Sequence, residues 1–148
     1  MTPWRLILAA IGLIYAASGF LFLFNPSETA AMLGMSFINL GGKTDFRAMY
    51  GGLEVGVGAF LLICALRREF VRIGLFASAC ALVAMATARA VGLMLDGFDF
   101  LEVVVLVTEA FGGAVSTWGA LMVAPDRDAL PPPTEDPTPN DSPLPPAA

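Results

Sequence analysis

The chain has 148 residues, 57% hydrophobic and 14% charged, with a mean hydropathy of +0.74, a balance that excludes an ordinary soluble domain. Nine of its 11 prolines crowd the last 24 residues, and the formal charge of −5 divides into −4 for that tail (five acids against Arg127) and −1 for residues 1–124 (eight acids against seven bases). No basic face is left for nucleic acid, and with no histidine the chain lacks the usual ligand for haem, zinc or copper and the usual general base, so no metal and no cofactor are expected.

Four stretches are long and apolar enough to cross about 30 Å of hydrocarbon at about 1.5 Å per residue. They predict an all-α, integral membrane four-helix bundle running up-down-up-down. The first span, residues 6–24, holds no charge or proline and stops at Asn25-Pro26, where the proline ring disfavours helix in the residue before it. Arg5 ahead of an apolar run, with Ala16-Ala17-Ser18 as small residues, also fits a cleaved signal peptide; continuation of the run to Phe24 favours a full span. A short interfacial helix is expected over about residues 27–33, with Asn25 or Ser27 as N-cap and Gly34 as its stop. The second span, 48–66, holds Glu54 as its single charge, and Thr44 one turn earlier is its expected N-cap, with Asp45 in the first turn. Span three, 73–95, holds Arg89; span four, 103–124, holds Glu109. Residues 125–148 are acidic, rich in proline and poor in large apolar side chains, which predicts a disordered tail. It reads as a solvated spacer or, more sharply, as a docking peptide for a proline-recognising partner.

Lys and Arg near the span ends set orientation. Arg5, Arg67, Arg68, Arg72 and Arg127 fall on one side, Lys43 and Arg47 on the other. This predicts both termini in the cytoplasm. Loops 25–47 and 96–102 then face outward and the turn 67–72 inward.

Glu54 lies seven residues beyond Arg47, Arg89 seven before Asp96, and Glu109 seven beyond Glu102. Seven residues are about 10.5 Å of rise and two turns, so Glu54, Arg89 and Glu109 are expected at one level in the outer half, with Arg47, Asp96 and Glu102 in a layer above. A lone charge at that depth costs several kcal/mol, so each is expected to face the bundle interior and pair as Glu–Arg–Glu, leaving a net −1 in low dielectric. Arg47, Tyr50 and Glu54 share a helix face, so the Tyr50 hydroxyl is expected in the same network. Read structurally, such a network fixes helix register. Read functionally, it is a protonatable or anion-attracting site at the base of an outward cavity.

Gly52 to Gly56 and Gly112 to Ser116 are small-xxx-small spacings that let helices approach. Trp4, Phe20, Phe22, Phe24 and Trp118 are expected at lipid or interface, and Cys64 and Cys80 as two reduced, buried thiols. Gly42-Lys43-Thr44 resembles the end of a phosphate-binding loop, but Phe37 stands where its first glycine is needed. Gly56-Val57-Gly58 opens like a dinucleotide fingerprint, but Leu61 occupies its third glycine.

The run Thr44-Asp45-Phe46-Arg47-Ala48-Met49-Tyr50-Gly51-Gly52-Leu53-Glu54, then Gly58 with Phe60-Leu61, Ala88-Arg89 with Gly92, Asp96-Gly97 and Glu109, resembles a bacterial family of small four-helix inner-membrane proteins, domain of unknown function 4345. The resemblance covers about residues 6–123, rests mainly on Arg-x-x-Tyr-Gly-Gly, and implies the fold and the importance of Arg47, Tyr50, Glu54, Arg89, Asp96 and Glu109. It implies no activity. The architecture is more loosely similar to the DoxX-like four-helix proteins, some linked to quinone or thiol metabolism, though no matched residue carries that function.

Taken together, the sequence favours a non-enzymatic ligand-binding or accessory subunit, with membrane lipids around it and a homo-oligomer or a larger membrane complex as its expected assembly. Two other classes stand beside that reading. One is a small oligomeric proton- or ion-coupled transporter gated by Glu54 or Glu109, against which the apolar descent of span three below Arg89 argues. The other is a membrane enzyme on a quinone or lipid.

Overall fold

Thr2 lies at the N-cap position and Pro3 opens helix α1 (Pro3–Phe24), where the missing N–H of proline is of no consequence. The computed structural model describes residues 2–123; the proline-rich tail, Arg127 and the expectations attached to them lie outside the described residues. Asn25 breaks the helix, Pro26 restarts it as α2 (Pro26–Met32), and Gly34, at φ +72°, lets the chain leave. Three long helices follow: α3 (Leu40–Leu66), α4 (Val71–Asp96) after a 3₁₀ turn at Arg68–Phe70, and α5 (Phe100–Met122). Helices α1, α3, α4 and α5 are long and apolar enough to span a membrane.

Helix α3 begins well before the predicted residue 48. Asn39, not Thr44, is its cap: the Asn39 side-chain oxygen accepts from Gly42 N at 2.8 Å, while Thr44 sits inside the helix and donates to Leu40 O at 3.0 Å. The polar composition of residues 41–45 hid this start, because an apolar window cannot register the part of a helix that rises above hydrocarbon. Asn39→Ala is expected to cost about 1 kcal/mol locally and to speed hydrogen exchange at Gly42; unchanged exchange there would contradict the cap. Within α3, residues Arg47–Gly52 form a π-helical stretch coinciding with the Arg-x-x-Tyr-Gly-Gly motif. Such bulges are frequent at functional sites, and periodicity gave no sign of this one.

The bundle consists of two pairs, α1 with α3 and α4 with α5. In the first pair glycines recur seven residues apart on both helices, Gly12 and Gly19 against Gly58 and Gly51. A Cβ on Gly58 would lie 2.6 Å from Ala16 N and one on Gly19 2.6 Å from Val55 N, so the two backbones are in contact. The predicted Gly52–Gly56 pair is not the interface, since both residues are exposed and a Cβ on Gly56 meets open space. Gly113, Ser116, Gly119 and Ala120 are the buried small residues of α5. Ser116 Oγ lies 3.2 Å from Ser78 Oγ, which satisfies both buried hydroxyls.

The two pairs join at the end bearing Arg67–Arg72, here called the arginine end. Leu8, Leu61, Cys64, Ala65, Val71, Leu75 and Ala120 form one buried cluster there. Trp4 packs against that cluster and Gly119 instead of facing lipid, and Phe22 turns onto Phe46 and Tyr50. Phe20, Phe24 and Trp118 do face outward. Cys64 is buried as expected, whereas Cys80 is exposed on the outer surface of the bundle.

Arginines at three helix ends cap their neighbours' free carbonyls. Arg5 donates to Ala65 O and Leu66 O, both at 2.7 Å, Arg72 to Ala120 O at 3.2 Å, and Arg47 to Leu23 O at 3.1 Å. Each supplies a cation where the helix dipole is negative.

Candidate functional site

Away from the arginine end the helix pairs frame a site around Arg89 on α4. Its guanidinium forms a fork with Glu109 of α5, Nε to Oε2 at 3.0 Å and Nη2 to Oε1 at 2.9 Å, the planar bidentate geometry that makes arginine–carboxylate pairs strong. The remaining nitrogen, Nη1, bonds Glu102, one layer higher on the same helix. Exposure grades outward along this triad, with side chains 7% exposed at Glu109, 27% at Arg89 and 41% at Glu102. The charge thus runs from a buried anchor to an exposed rim.

Local structure positions Glu102. Gly97 at φ +114° reverses the chain beyond Asp96, and the Asp99 side chain caps α5 by accepting from Glu102 N at 3.1 Å. Glu102 therefore stands in the first turn, where the helix dipole favours an acid.

The second carboxylate of the triad is therefore Glu102, not Glu54. Counting residues to a common depth treated each side chain as a point, whereas the long Arg89 side chain reaches up the bundle and engages the layer above. Arg47 leaves that layer to cap α1, while Asp96 ends α4 at the rim of the site. Glu54 faces the first span, where Ser18 donates to its Oε2. The Tyr50 ring stacks on Phe46 at 4.7 Å within an aromatic group that includes Phe22 and Phe37, and no hydrogen bond joins it to Glu54 among the described residues.

Ser18, Tyr15 and Met85 were missed from the sequence. Tyr15 Oη lies 3.5 Å from Met85 Sδ, linking α1 to α4 across the bundle. The i, i+3, i+6, i+7 row Gly12, Tyr15, Ser18 and Gly19 would have marked the inward region of an otherwise uniformly apolar helix.

Two cavities meet among these residues. A polar one of about 750 Å³ lies between α3 and α4, lined by Tyr50, Glu54, Arg89, Gly92, Asp96 and Glu102 among others. An apolar one of about 630 Å³ runs between α1 and α5 and is walled by Ile7, Ile11, Ile14, Phe111 and Val115, with Ser18 and Glu109 also on its lining. Glu54 and Met85 line both. Towards the arginine end the space is filled by the Leu8–Leu61–Leu75 cluster and the Ser78–Ser116 pair.

These features define a small integral membrane protein of four spanning helices, with an ion triad and a cleft between its helix pairs. The chain belongs to the family described as Domain of unknown function (DUF4345), which it matches over residues 3–120. No curated protein and no solved structure matches it.

Proposed function

We propose that the protein is a binding subunit that holds a small molecule in the cleft between its helix pairs, and that the arginine end lies in the cytoplasm of a bacterium, so that the cleft is reached from the outer side. The observation carrying this reading is the meeting of the two cavities at Glu54 and Met85. Each has the size of a small-molecule site, about 300–1,000 Å³. One wall supplies apolar surface and the other a few fixed polar groups, the division of labour that binding pockets use for affinity and orientation. The filled arginine end supports holding a ligand over passing it across the bilayer.

Native mass spectrometry of the protein released from its own membranes with native lipids tests this. The expected result is a retained organic adduct on the wild-type chain that is lost in Gly92→Trp. Gly92 lines the polar cavity and a Cβ there meets nothing, so the indole fills the cleft without disturbing the packed core. A bare wild-type chain would count against a binding role.

A further inference from the structure

The two carboxylates that line the apolar cavity, Glu54 and Glu109, differ in their compensation. Glu109 receives both arms of the Arg89 fork, and the third nitrogen of that guanidinium is engaged by Glu102. Glu54, half-buried in a membrane-spanning helix, is met by a neutral hydroxyl, that of Ser18. An ionised carboxylate in such surroundings is costly unless a cation pairs with it. The nearby arginine is already shared by two acids, and Arg47 is turned to Leu23 O. The polar cavity as a whole repeats the imbalance: Glu54, Asp96, Asp99 and Glu102 line it against Arg89, four acids to one base, a formal −3.

On the other side of Glu54 lies the apolar cavity, between α1 and α5. These two helices meet near the arginine end, where Trp4 packs on Gly119, and the cavity opens above that contact. Ile14 and Phe111 on its walls are 68% and 70% exposed, so its mouth is sideways, towards the acyl chains. A molecule entering there would travel over hydrocarbon side chains and arrive at a carboxylate that lacks a cation.

We propose that the cleft binds a lipophilic organic cation, its apolar body between α1 and α5 and its positive charge against Glu54. The inference rests on the binding reading above and names the chemistry of the ligand. The charge of the ligand supplies what Arg89 does not, and its apolar body replaces lipid at Ile11, Ile14 and Phe111. Tyr15 also lines this cavity, an aromatic side chain of the kind that attracts organic cations.

The test uses tetraphenylphosphonium, a lipophilic cation, and tetraphenylborate, an anion of nearly the same size and shape. Each is titrated calorimetrically into the full chain in lipid nanodiscs, with empty nanodiscs as the blank. Saturable binding of the cation to wild type is expected, weakened at least tenfold by Glu54→Gln and by Ile14→Trp, with no saturable binding of the anion. Ile14 faces outward, so its variant narrows the mouth without entering the core and keeps the test informative if Glu54→Gln folds poorly. Equal binding of the two ions, or cation binding indifferent to both substitutions, would overturn the proposal. An adduct in native mass spectrometry that is neutral or anionic would also overturn it while leaving the binding reading in place. A bare chain together with no cation binding would remove both.

Discussion

Arg89→Ala is expected to lower the unfolding free energy by about 3–5 kcal/mol, the cost of stranding a buried charge by removing its partner. Glu109 is the stranded group: its side chain is 7% exposed, and both of its oxygens are bonded by the guanidinium. Glu102, nearer the rim, can hydrate when the arginine is lost and adds less. Glu54→Gln is expected to cost about 1 kcal/mol or less, because an amide oxygen still accepts from Ser18. Thermal unfolding of the two variants in one detergent compares them directly. Arg89→Met combined with Glu109→Gln should recover most of the loss, since the pair is then replaced by groups that need no counter-charge. Equal melting temperatures for Arg89→Ala and Glu54→Gln would contradict the assignment of Glu102 and Glu109 as the partners of Arg89.

The glycine interface of α1 and α3 gives the other large expected effect. Gly58→Ala puts a methyl group 2.6 Å from Ala16 N and 2.7 Å from Gly12 O, both backbone atoms that cannot move aside alone. The helices must separate, at an expected cost of about 1–3 kcal/mol. Gly56→Ala, two residues away on the same helix, faces open space and is expected to leave stability unchanged or slightly raised, because alanine is the better helix former. Thermal unfolding of the two single variants decides the matter. Similar losses for both would mean that backbone contact at Gly58 is not what holds the pair.

Much of the fold was legible because the bilayer imposes a strong rule: long apolar runs become spanning helices, and single charges within them stand out. The α2 helix could be read as well, from Asn25 at its N-cap position and Gly34 as its stop. What the sequence hid has three physical causes. The start of α3 lies in polar residues above the apolar stretch, so only the cap at Asn39 marks it. Interface glycines cannot be told from lipid-facing ones by spacing alone, since Gly51, Gly52, Gly56 and Gly58 admit several pairings, and contact with α1 selects Gly51 and Gly58. Within the candidate site, residue counting brought Arg89 and Glu109 to one level, and the structure joins them there. It could not foresee that the reach of arginine would bring in Glu102, or that the π-helical stretch at Arg47–Gly52 would precede a Glu54 paired with Ser18. The inward face of α1 carries Leu8 and Ile11 beside Gly12, Tyr15, Ser18 and Gly19, so hydropathy separates it little from the outward face, and only the helical spacing of the small and polar residues points to Tyr15 and Ser18.

The helix pairs are packed shut at the arginine end and enclose an accessible polar cavity towards the other end. Single cysteines introduced into a chain whose Cys64 and Cys80 have been replaced test it most directly. Ala88 lines the polar cavity, whereas Ser78, 1% exposed, is sealed against Ser116 in the packed half. Ala88→Cys is expected to react rapidly with a water-soluble maleimide and Ser78→Cys to stay unlabelled until the protein is unfolded. An inert Ala88→Cys, or equal labelling of the two in the folded protein, would contradict the account.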